Sequence, residues 1–226
     1  MANKKSIDIS EILKDAFETI KKNPEIIGLY VIQLVIILIA GFGILGSSMS
    51  FFRHLSTGTT NIFEFFKSLS EIVYKLLAFG IIIFVVQTIT MGSAISLVAS
   101  IKRGQKTSVR EALITGVKKS PYLIAGGIVA GLAIGVGFIA LIIPGIYLLL
   151  RLILYPQACV IDGSLGIEKS WNITKKYFWD VLVLFIVLTI IALVISAIPF
   201  GNIINYLLVS PWTITSWTIL YLKIRK

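Results

Sequence analysis

The sequence predicts an all-α, polytopic membrane protein: six transmembrane helices and three cytoplasmic amphipathic interfacial helices, in one integral membrane domain over residues 1–226. Three observations carry this. Of the 226 residues, 57% are hydrophobic and 14% charged, with a mean hydropathy of +0.94. Soluble domains sit near about 45–50% apolar and about 25% charged. Apolar runs of at least the ~20 residues that a bilayer core requires recur along the chain. The charges collect at the ends of those runs, where topology signals belong. The net charge of +10 therefore marks membrane orientation, and a nucleic-acid partner is not expected. Cys159 is the one cysteine and His54 the one histidine, which leaves no internal disulfide and no Cys/His metal cluster. No metal or other cofactor is expected.

Taken in order, residues 6–22 read as an amphipathic helix. Ile9, Ile12, Leu13, Ala16, Phe17 and Ile20 form one stripe of helical period, and Asp8 with Glu11 offers a capping start. Acidic residues in this segment, and the length of the apolar run after it, argue against a secretory signal peptide. The first span covers about 25–49, following Pro24. Its Gly41-Phe42-Gly43-Ile44-Leu45-Gly46 matches a dinucleotide fingerprint letter for letter. It lacks the strand before and the soluble helix after that such a site needs, so the glycines read as helix-packing positions. Residues 50–70 are polar enough to predict an external loop with a short interfacial helix.

The second span is about 72–101, with Thr88, Gly92, Ser96 and Ser100 four apart on a small-residue face. Residues 102–120 repeat the amphipathic pattern, opened by the capping box Ser108-Val109-Arg110-Glu111. The third span, about 122–142, carries Gly127, Gly131 and Gly135 at four-residue spacing, the sharpest packing motif in the chain. The apolar stretch from Tyr122 to Val160 is too long for one crossing, so Pro144 and Gly145 are expected to break it. The fourth span is then about 146–161. An amphipathic segment at 164–178, the fifth span at about 179–198, a turn over Pro199-Phe200-Gly201-Asn202 and the sixth span at about 203–222 complete the chain.

Orientation follows from the lysines and arginines. The N-terminal segment, 102–119, 162–178 and the C-terminus hold 17 of the 21, which predicts both termini in the cytoplasm of a cell whose plasma membrane the chain crosses. Lys21, Lys22, Lys118, Lys119, Lys175 and Lys176 end the three amphipathic segments. They are placed to meet anionic headgroups of the cytoplasmic leaflet. The repeated amphipathic segment, Lys-Lys and hairpin suggests a pseudo-repeat of two-span units.

Arg151 is the ionisable side chain set deepest in a predicted span, and no carboxylate lies at comparable depth. Arginine in mid-span costs at least ~2.5–3.5 kcal/mol on insertion scales and marks a functional candidate. It must draw on backbone carbonyls, such as those freed at Pro144-Gly145, or on water, a bound anion or a lipid phosphate. A structural role as a cap, or snorkelling, stays open beside it. Gln33, Gln87, Gln157, Asn202 and Asn205 are further polar groups at membrane depth. Ser210, Thr213, Thr215, Ser216 and Thr218 surround Pro211, as hydroxyls that re-satisfy a kinked backbone or line a polar path. Catalysis is not expected, because no nucleophile with a base and no paired carboxylates lie at depth. Asn172-Ile173-Thr174 is a glycosylation sequon, expected on the cytoplasmic face and therefore silent.

Several of these stretches together resemble the membrane domain found in some glycerophosphoryl diester phosphodiesterases, and related prokaryotic polytopic families of unknown function. The resemblance rests on Asp15-Ala16-Phe17 through Lys21-Lys22-Asn23-Pro24, on Arg103-Gly104 with Glu111-Ala112-Leu113, on Ile142-Ile143-Pro144-Gly145-Ile146-Tyr147-Leu148 with Arg151-Leu152, and on Ser170-Trp171 with Phe178-Trp179. It implies a six-helix membrane domain and lipid or amphiphile handling. The hydrolase domain is absent from these residues, so hydrolysis does not carry over. The expected function is non-enzymatic: binding or organising anionic membrane lipid or another amphiphile, with Arg151 as the anion ligand. A small-solute or amphiphile transporter, or an accessory subunit of a membrane complex, is the alternative. A homo-oligomer and an unidentified membrane partner both stay open.

Overall fold

The computed structural model describes residues 7–57 and 62–225, without the side chains of 45–57 and of Phe65. Every regular element among them is helical: α1 Ile9–Lys22, α2 Glu25–Thr57, α3 Ile62–Lys102, α4 Val109–Ala140, α5 Ile142–Leu152, α6 Tyr155–Asp162, α7 Ile167–Lys176, α8 Phe178–Ser196, α9 Gly201–Ile204, a π-helical turn Asn205–Val209, and α10 Ser210–Ile224. Six stretches are long and apolar enough to cross a membrane: Glu25–Ile44, Ile62–Lys102, Val109–Ala140, Ile142–Asp162, Phe178–Ser196 and Gly201–Ile224. Their exposed faces carry large apolar side chains such as Ile39, Phe42, Ile139 and Leu193. That surface is far more apolar than an aqueous one tolerates.

The element bounds depart from the sequence expectations in four places. The predicted external loop at 50–70 is helix on both sides, since α2 runs to Thr57 and α3 starts at Ile62; positions 58–61 of that loop lie outside the described residues. Polar Ser and Thr hydroxyls do not break a helix, and Ser68 and Ser70 donate to the carbonyls of Glu64 and Lys67. At 41 residues, α3 is about twice as long as a bilayer core requires. From Val109 the 102–120 segment continues into the third span as one helix, α4, which runs through Pro121. Proline removes the N–H that would reach the carbonyl four residues back, and Ser120 Oγ donates to that carbonyl, Val117 O, at 2.8 Å. The break in the long apolar run falls at Leu141, which is extended at φ −169°, ψ 157°. Pro144 and Gly145 then lie inside α5. In a first turn the proline forfeits no hydrogen bond, so Pro144 starts a helix there instead of ending one. The predicted turn at 199–202 begins earlier, at Ala197, and Gly201 already opens α9. A Cβ on Gly201 would meet Ile195 O at 1.8 Å, a clash that admits only glycine.

The chain divides into two compact units, one holding residues up to Tyr30 and from Thr88 onward, the other Val31–Gln87. The smaller unit is an antiparallel helix pair. Gln33 Nε2 donates to Gln87 Oε1 at 2.8 Å, a polar tie of the kind that pairs helices in apolar surroundings. Further along, Gly41 lets the Phe79 ring within 3.3 Å of where its Cβ would be, whereas Gly43 borders open space.

The larger unit packs around α8 and α10. Ile12 and Ala16 of α1 are fully buried with Leu154, Val181, Leu184 and Leu220. The stripe predicted for a membrane surface is thus largely consumed by protein, and Phe17 stays 59% exposed. Asp8 caps α1, and the Ser10 hydroxyl, then the Glu11 N–H, hold its carboxyl below the usual range. The capping box at Ser108–Glu111 forms as predicted. At one end of the unit ion pairs join the elements: Asp15 to Lys102 at 2.6 Å, Glu11 to Lys223 at 3.0 Å, and Asp162 to both Lys169 and Arg225 at 2.8 Å. Tyr221 Oη also donates to Asp162. We refer to this as the basic end.

Candidate functional site

Arg151 occupies the last turn of α5, one residue before the helix ends. Ile153 and Leu154 form the turn into α6, whose first residues include Pro156. The Arg151 carbonyl therefore belongs to the group of orphan acceptors at a helix C-terminus. Two hydroxyls of α7 satisfy it, Ser170 Oγ at 2.9 Å and Thr174 Oγ1 at 3.0 Å. Both are fully buried. The presumed supply of carbonyls from Pro144-Gly145 plays no part, since the break lies ten residues back at Leu141.

The same helix α7 covers the side chain. The Arg151 guanidinium carbon lies 4.2 Å from the centre of the Trp171 ring and 5.7 Å from that of Tyr147, one helical turn earlier on α5. Tyr147 meets Trp171 edge-on at 6.2 Å and Phe178 at 5.8 Å. These rings close an aromatic wall around a side chain that is 2% exposed. Ring faces attract the cation, by about 2 kcal/mol when desolvated. They leave its edge unanswered, because the N–H donors of a guanidinium lie in its own plane. Nε is buried with no hydrogen-bond partner, and no carboxylate pairs with Arg151 among the described residues. Losing hydration costs a buried ion several kcal/mol, more than the rings return. An acceptor in the guanidinium plane would close the deficit.

Of the other predicted site residues, some come together and some do not. Gly127 packs on Tyr155, whose Oη would stand 2.9 Å from an added Cβ, but Gly131 and Gly135 border open space. The four-residue glycine spacing is therefore not a packing face along its length. Gly92 does pack, against Gly116 and Leu123; Ser96 is half-buried beside it on α3. Tighter approaches involve glycines outside the motif, among them Gly116 against Ser93 and Ile89, and Gly137 against Leu148 and Gly145. Lys119 Nζ lies beside Gly163 at the C-terminus of α6, where a cation complements the helix dipole. Lys22 pairs loosely with Glu18 at 4.0 Å. Lys21, Lys118, Lys175 and Lys176 have exposed side chains.

The sixth-span hydroxyls mostly serve their own backbone. Ser216 donates to Trp212 O at 2.8 Å, Thr218 to Ile214 O at 2.7 Å and Ser210 to Asn205 O at 3.2 Å. Asn205 instead bridges to α8 through Ala192 O and Ser196 Oγ. Gln157 Oε1 and Thr215 Oγ1 are buried without partners. Sequence reasoning missed the roles of Tyr147, Ser170, Trp171 and Thr174. Tyr147 stands four residues before Arg151, and that spacing was a usable signal; nothing local announces that α7 folds over the arginine.

Fold and site define an all-helical chain with six helices fit to cross a membrane, organised around a buried arginine. Models of known protein families, curated proteins and solved structures yield no match to it.

Proposed function

We propose that the chain is a non-enzymatic integral membrane protein that binds an anionic lipid or a similar amphiphile through Arg151. One observation carries the reading: a guanidinium almost wholly buried against aromatic faces, whose Nε is buried without a hydrogen-bond acceptor and which pairs with no carboxylate among the described residues. A phosphate or carboxylate supplies that acceptor in a bidentate geometry that suits arginine. The basic end supports the reading as well. There an open cavity of about 490 Å³ is lined by Lys102, Arg103, Lys223 and Arg225 with Asp15, three of these cations also being paired to Asp15, Glu11 and Asp162. On this reading the basic end faces the cytoplasm, both termini with it, and its cations meet the anionic leaflet at about 1 kcal/mol each. The resemblance to membrane domains of glycerophosphodiester phosphodiesterases points to the same ligand class.

Native mass spectrometry of the purified protein, released from mild detergent, tests this. Wild type is expected to retain anionic phospholipid, and folded Arg151→Gln to lose it. Equal lipid retention by the two proteins would make the arginine purely structural. A permeation role draws on Gln157 and Thr215, whose buried oxygens on two candidate spans lack partners; solute flux in vesicles that depends on Thr215 would favour it.

A further inference from the structure

From a groove beside α1 that shares no lining residue with the surroundings of Arg151, we infer a second and more specific element of lipid recognition: a slot for one acyl chain of an anionic phospholipid, with Lys21 as its phosphate ligand. The groove encloses about 510 Å³ between Phe17, Ile20 and Lys21 of α1, Ile195 of α8, and Ile204 and Leu208 at the start of the sixth candidate span. Its lining is apolar apart from the one lysine. Hydrocarbon suits such walls, and a single cation on their margin selects an amphiphile with one negative head.

Three features mark the groove as built. Phe17 is the exposed remnant of a stripe otherwise buried in protein, and it forms one wall. The far wall is the π-helical turn Asn205–Val209, a local widening of the kind that clusters at functional sites. That turn is clamped by Asn205, which donates to Ala192 O at 3.1 Å and Ser196 Oγ at 2.7 Å. Trp212, which also lines the groove, is fixed by its indole N–H, which donates to Leu13 O at 3.0 Å. Lys21 itself has no ion pair among the described residues, while Lys22 beside it meets Glu18. Charge and shape together favour a two-part ligand, and a membrane-spanning chain meets phospholipid everywhere along this surface.

The inference rests on the lipid-binding reading but names different residues, so the two can fail separately. Purified wild type, Lys21→Gln, Leu208→Trp and Arg151→Gln are each equilibrated with mixed phosphatidylglycerol and phosphatidylcholine vesicles, extracted gently and weighed with their bound lipids. Leu208→Trp, which plugs the slot, is expected to carry one phospholipid fewer than wild type. Lys21→Gln is expected to keep that lipid but lose about fivefold in preference for phosphatidylglycerol, the ratio one lysine contributes at an anionic surface. Arg151→Gln is expected to leave this lipid in place. Unchanged lipid count and preference in both groove variants would overturn the slot. So would retention of free fatty acid in place of phospholipid. Should Leu208→Trp fail to fold, Lys21→Gln, a change on an exposed side chain, decides alone. Loss in Arg151→Gln without loss in the groove variants would sink this inference and leave the Arg151 reading standing. The reverse pattern would do the opposite.

Discussion

At the residue scale the chain turns on an energetic imbalance at Arg151. Two α7 hydroxyls satisfy its carbonyl and two aromatic rings face its charge, yet its buried Nε has no acceptor. Removing the charge is then expected to help the ligand-free protein. Arg151→Met keeps the long apolar stem against Trp171 and drops the desolvation cost, and such replacements of buried ions are neutral or stabilising by about 1–4 kcal/mol. In delipidated detergent Arg151→Met should melt at or above wild type. Added anionic phospholipid should raise the wild-type melting temperature, since only the folded protein binds it, and leave the variant unmoved. A variant that melts well below wild type without lipid would show that the guanidinium is satisfied within the protein. Arg151 itself was legible from sequence, as the charge set deepest in an apolar run. Its surroundings were not, because Ser170, Trp171 and Thr174 arrive from a separate helix through a tertiary contact that no local period encodes.

At the scale of elements, the capping box at Ser108 was legible in the sequence, since it depends on neighbours within one turn. Boundaries that depend on context went astray. Pro121 and Pro144 have the same missing N–H, but Ser120 repairs the first and a first-turn position excuses the second. The three Lys-Lys segments likewise part company: α1 ends at Asn23 and α7 at Tyr177, whereas α4 runs on. Shared signals in sequence therefore do not impose a shared backbone. Glycine spacing misled for a related reason, as it says which face is smooth and not what lies against it. The contrast is testable. An added Cβ at Gly116 would sit 2.1 Å from Ser93 Oγ and 2.5 Å from the backbone oxygen of Ile89, while at Gly131 it meets nothing within 4 Å. Gly116→Ala should destabilise by about 1–3 kcal/mol through overpacking. Gly131→Ala should be neutral or stabilise by up to about 1 kcal/mol, through its effect on the unfolded chain. Thermal melts of the two variants in one detergent separate these outcomes, and equal behaviour would contradict the packing described for α3 against α4.

For the whole molecule, the ion pairs concentrate at one end of the larger unit, tying α1, α3, α6, α7 and α10 together through Asp15, Glu11 and Asp162. The cations of those pairs, Lys102, Lys169, Lys223 and Arg225, belong to the segments that hold 17 of the 21 lysines and arginines, so the mechanical clamp coincides with the predicted topology signal. This end is expected to stay in the cytoplasm, because translocating it would carry its clustered cations across the membrane. The single native thiol makes the test clean, since Cys159 is fully buried and gives little background reaction. Lys106→Cys and Ser164→Cys place thiols at the basic end. Leu141→Cys, between α4 and α5, and Asn202→Cys, at the start of the sixth candidate span, place them at the opposite ends of those helices; all four positions are exposed. In intact cells a membrane-impermeant maleimide should label Leu141→Cys and Asn202→Cys, and reach the other two only after permeabilisation. The inverse pattern would put the basic end and its cations outside, where they could not hold an anionic inner leaflet. Labelling of all four from outside would remove the membrane from the argument altogether, and with it the lipid reading of Arg151 and of the groove beside Lys21.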